Sequence, residues 1–96
     1  IDTGIIDLYR IKPVNEKLLL ETIQQTKKIL TLEEHSIVGG IGSLVSEVLT
    51  DHAKSMPLKR IAAKDCHCYE YGEREWIHAT LKLDTDSIVR EILNWN

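Results

Sequence analysis

The sequence predicts an α/β fold in which strands alternate with helices and neighbouring strands run parallel. Three observations carry that expectation. Short apolar runs at residues 5–9, 29–32 and 58–63 have the length and composition of buried strands. Stretches with helical spacing of apolar residues lie between and after them. Lys12-Pro13 and Ser55-Met56-Pro57 punctuate the pattern, because proline fixes φ and removes a backbone donor.

Taken in order, Ile5-Ile6-Asp7-Leu8-Tyr9 reads as a first strand that Pro13 stops. Asn15 is the expected N-cap of a helix with Glu16 in its first turn, where a negative charge suits the dipole. Leu19, Ile23 and Leu30 give that helix one apolar stripe, with Gln24, Gln25, Lys27 and Lys28 on a solvated face. Ile29-Leu30-Thr31-Leu32 then reads as a strand running into Glu33, Glu34 and His35. Ile41, Leu44, Val45, Val48 and Leu49 follow the i, i+3, i+4, i+7, i+8 rule, the cleanest helix in the chain. Leu58-Lys59-Arg60-Ile61-Ala62-Ala63 is a third strand, where alternation puts Lys59 or Arg60 in solvent. Residues 73–81 read as a helix with Trp76, Ile77 and Leu81 on one side. Asp84 or Thr85 is expected to cap a last helix bearing Ile88, Val89, Ile92 and Leu93.

Ninety-six residues make at most one domain with a modest core. A net charge of −3 with interspersed signs argues against nucleic acid as a partner. No apolar run reaches the roughly 18 residues that a membrane helix needs, and no secretory signal is visible. Cys66 and Cys68 are too few for a disulfide framework, and reduced thiols in a cytoplasmic protein are the simplest expectation. The start at Ile1 rather than Met leads to the expectation of a fragment, a processed product or an excised domain.

The block Gly39-Gly40-Ile41-Gly42-Ser43 sits where a strand turns into a helix, a place where α/β folds bind ligands. Free N–H groups and the helix dipole make Gly40, Ile41, Gly42 and Ser43 a candidate anion-binding loop. Against that, Val45 stands where a third glycine of G-x-G-x-x-G belongs, the P-loop lysine is absent, and Glu33-Glu34 would repel an anion. A hinge allowing close helix-to-strand packing is the preferred reading. Cys66-x-Cys68 with His67 is a poor match to zinc spacing. Glu33 and His35 share one strand face and Glu34 the other, so an acid/base cluster weighs less than polar bracing of the loop. Trp76 and Trp95 are expected as core or interface anchors, Trp95 against a neighbour.

Four stretches together, "IIDLYRIKPVN", "LTLEEHSIVGGIGSLVSEVL", "PLKRIAAKD" and "LKLDTDSIVREI", resemble the C-terminal domain of transketolases. The Glu33-Glu34-His35…Gly39-Gly40-x-Gly42-Ser43 block is the specific part of the resemblance, which covers nearly the whole chain. The resemblance implies a three-layer α/β/α sandwich with a mostly parallel, mixed sheet, here as a single truncated domain over residues 1–96. The family's first strand and helix have no counterpart. That strand would lie between the two strands at residues 5–9 and 29–32, so its lack leaves two ladders of backbone groups to be paired otherwise. Residues 66–71 also depart from the family, which tends to carry phenylalanine and glycine there.

By implication the parent transfers two-carbon ketol units between sugar phosphates in the pentose phosphate pathway, as a cytoplasmic homodimer. It would use thiamine diphosphate and Mg2+, held by other domains or a companion subunit. This chain is then expected to bind no cofactor or metal and to have no catalytic residue. Glu33, Glu34, His35 and Gly39 are expected as structural motif residues. The alternatives are the equivalent domain of 1-deoxy-D-xylulose-5-phosphate synthase, or a stand-alone module binding an anion or a protein.

Overall fold

The computed structural model describes residues 2–63 and 82–95. The expected helix over residues 73–81 and the Cys66-His67-Cys68 segment lie outside them. The described residues form α1 (Glu16–Ile23), β1 (Ile29–Ser36), α2 (Ile41–Asp51), β2 (Leu58–Ala63) and α3 (Thr85–Asn94). The strands β1 and β2 pair in parallel, with Ile29 opposite Leu58 and Leu32 opposite Ile61. Backbone bonds from Ile29 N–H to Pro57 O (2.9 Å) and from Ile37 N–H to Ala63 O (2.8 Å) close the two ends of the pair.

Local chemistry starts the helices where the sequence predicts. Asn15 Oδ1 accepts the Leu18 N–H at 3.0 Å, satisfying one of the orphan donors at the start of α1. The helix stops at Ile23, and Leu30 belongs to β1 rather than to the stripe of α1. The core lies between these helices and one sheet face, where Leu19 and Ile23 of α1 meet Val45, Val48 and Leu49 of α2. Ile29 and Leu58 pack against that cluster from the first residues of the two strands. Because consecutive residues on a strand point to opposite faces, Arg60 lies on the α2 side and Lys59 on the other.

The Lys59 side is where α3 docks, which gives the third layer. Lys59 Nζ meets Glu91 Oε2 at 2.6 Å, and Lys28 Nζ donates to Trp95 O at 2.9 Å. Both ammonium groups also stand over the Trp95 ring, at 5.2 and 5.8 Å from its centre. No residue of α3 is fully buried. Asp84 caps it, accepting from Ser87 N–H at 3.2 Å and Ser87 Oγ–H at 2.6 Å. Those bonds favour the carboxylate and hold Asp84 below its ordinary pKa of 3.8. A depressed folded-state pKa means the cap is at full strength above 3.8 and is lost as pH falls through the lower folded value. Circular dichroism is therefore expected to show α3 fraying only at strongly acidic pH, while Asp84→Asn removes that step from the titration.

A larger expectation also fails. Residues 5–9 form no strand and pair with nothing in the sheet. Ile5 is 94% and Tyr9 90% exposed, with Ile6 and Ile11 also exposed. The second edge of β1, away from β2, carries no ladder among the described residues. An apolar run without a neighbouring strand to receive its N–H and C=O groups stays irregular, because strand structure is completed by pairing.

Candidate functional site

Strand β1 presents Thr31 and Glu33 to α2, and both are buried, at 6% and 7% exposure. Leu32 and Glu34, on the opposite face, are exposed, Leu32 at 49%. After Leu32 the pairing slips: Ser36 is matched with Ala63, so β1 spends four steps where β2 spends two. This bulge bends the end of β1 at Glu33 and beside the start of α2.

There Glu33 does what a bound anion does at a helix start. Its Oε1 accepts the Ile41 N–H and its Oε2 the Gly42 N–H, each at 2.9 Å. The N-cap, Gly40, has no side chain to contribute, so the carboxylate of β1 satisfies two of the helix's orphan donors. Glycine at 40 is needed for the fit, because a Cβ there would collide with Glu33 Oε1, and would come within 2.6 Å of Cδ and 2.8 Å of Oε2. At Gly42 a Cβ would lie 2.6 Å from Arg60 Cδ and 2.8 Å from both Arg60 Cγ and Thr31 Oγ1. The two glycines therefore admit side chains of the protein's own sheet. Gly39 has φ +74°, a left-handed value that favours glycine.

Ser43 and Arg60 tie down the loop between β1 and α2. Ser43 Oγ donates to Ile37 O at 3.2 Å and accepts the Gly39 N–H at 3.3 Å. Arg60 Nη1 donates to Ser43 Oγ at 3.2 Å and to Ile37 O at 3.4 Å. Ser36 Oγ accepts the Val38 N–H at 3.3 Å. The structure thus brings Glu33, Gly39, Gly40, Ile41, Gly42 and Ser43 together with Arg60, a partner the sequence did not single out. Glu34 lies on the far side, where Leu32, Glu33, Glu34 and Leu83 line a shallow recess. His35 lies in β1, and its side chain is outside the described residues. Among the described residues no group of three or more His, Cys, Asp or Glu side chains could hold a metal ion. No described helix is long and apolar enough to cross a membrane.

One buried polar atom in this region, Thr31 Oγ1, has no hydrogen-bond partner among the described residues. A buried hydroxyl without a partner is a liability, so Thr31→Val is expected to leave stability unchanged or raise it by about 1 kcal/mol. Urea denaturation checks this, and a loss above about 1 kcal/mol would mean the hydroxyl is bonded in solution.

Comparison with known proteins agrees with this architecture. Residues 1–88 match the family described as transketolase, C-terminal domain. The chain is 36% identical over 95 residues to a 1-deoxy-D-xylulose-5-phosphate synthase of Erwinia tasmaniensis, covering 99% of this chain and 15% of that protein. It is 33% identical over 96 residues to one subunit of an apulose-4-phosphate transketolase of Actinobacillus succinogenes, covering 100% of this chain and 31% of that protein. A solved structure described as a split-gene transketolase, inactive beta4 tetramer, superposes with a TM-score of 0.71 at 28% identity, covering 85% of this chain and 26% of that one. The chain therefore spans less than a third of each of these relatives. With the strand–loop–helix block in place and the match running nearly end to end, the chain belongs to the transketolase C-terminal domain family.

Proposed function

We propose that this chain is the structural C-terminal part of a thiamine-diphosphate-dependent transketolase that moves two-carbon ketol units between sugar phosphates. Its work is to complete the protomer and its assembly, with the chemistry on the enzyme's other domains or a companion subunit. The observation that carries this reading is the second edge of β1, unpaired among the described residues, in a chain that also leaves Ile5, Ile6, Tyr9 and Leu32 exposed. An open strand edge and exposed apolar side chains are both places for further chain. A strand from the rest of the enzyme would pair with it, as the family fold implies. The names of two relatives, one a transketolase subunit and the other a beta4 tetramer, support an assembly of several subunits.

Glu33 supports a non-catalytic role for the glycine block. A diphosphate or sugar phosphate at Gly40, Ile41, Gly42 and Ser43 would have to displace a carboxylate already held by two N–H groups. The Gly40–Ser43 loop with Glu33 seated on it thus does not fit a diphosphate, and no catalytic step is assigned to it. Glu33, Glu34, His35 and Gly39 are proposed as structural residues that shape the β1–α2 turn.

In the full-length enzyme, deleting these residues is expected to lower stability and weaken the oligomer in sedimentation more than it alters thiamine diphosphate binding. An intact oligomer that has lost cofactor binding would overturn the proposal. A second reading, a deoxyxylulose-phosphate synthase parent, is favoured by the 36% identity to the Erwinia tasmaniensis protein. Assaying the full-length enzyme with pyruvate against a ketose donor, an aldose phosphate acceptor being present in both, separates the two: turnover of pyruvate but not of the ketose selects the synthase.

A further inference from the structure

We draw no further inference here: the strongest candidate, the edge of β1 away from β2, belongs to the assembly surface already described, and nothing among the described residues shows any other occupant.

Discussion

Glu33→Ala is expected to destabilise the chain by about 3 kcal/mol, among the largest effects of any single substitution in the described residues. Hydrogen bonds to a charged acceptor contribute about 1.5–3 kcal/mol each, and the carboxylate accepts two, from Ile41 and Gly42. Removing it leaves both N–H groups facing a buried gap with no acceptor. It also withdraws a negative charge from the positive end of the α2 dipole. Glu33→Gln keeps the shape and one acceptor oxygen, so about half the loss is expected. Urea unfolding followed by circular dichroism measures both. If Glu33→Ala cost under 1 kcal/mol, the carboxylate would not be seated on the helix in solution. A small carboxylate such as formate, added at high concentration, should restore part of the stability of Glu33→Ala and none of the wild type's.

Gly40→Ala is the second large effect, expected at about 2–3 kcal/mol, and it reaches the same interaction from the other side. The new methyl would occupy the place of Glu33 Oε1, so the carboxylate must leave or the helix must shift. The backbone itself is not at issue, since φ of −92° and ψ of −160° suit any residue. A double-mutant cycle isolates the cause. In the Glu33→Ala background the methyl has room, and Gly40→Ala should cost below about 1 kcal/mol, the preference of an N-cap for glycine over alanine. Equal costs in both backgrounds would show that Gly40 matters for a reason other than Glu33. Gly42→Ala should cost a comparable amount, because exposed Arg60 can swing aside but the buried Thr31 Oγ1 that the methyl also meets cannot.

How far the sequence disclosed this arrangement depended on the range of the interactions involved. Asn15 and Asp84 cap α1 and α3 as read, because a cap is decided within three residues. The apolar positions of α2 repeat closely enough to fix both the helix and its inner face. Residues 5–9 look like a strand on composition, yet a strand exists only with a partner, and composition says nothing of that. Leu30 fits the period of α1 by coincidence, while Gln24 ends the helix and Ile29 opens β1. The glycine block was legible as a turn that permits close packing. What it packs against was not. Glu33 read both as a charge that would repel an anion and as polar bracing of the loop, and the structure seats it on the start of α2 as the anion the helix holds. The clue lay in a strand carboxylate on the inner face, followed seven and nine residues later by glycines.

The attachment of α3 has a consequence for the order in which the molecule comes apart. Its described contacts with the rest of the chain include the Lys59–Glu91 ion pair, the Lys28 bond to Trp95 O and two ammonium–ring contacts, with Ile88 and Ile92 half-buried and none of its own residues fully buried. Exposed ionic contacts weaken as salt rises, whereas the apolar cluster joining α1 to α2 does not. Two openings of unequal cost are therefore expected among the described residues. Amide protons of α3 should exchange through a low-energy opening that salt makes more frequent, while those of α2 and the β1–β2 pair exchange through a rarer, larger opening.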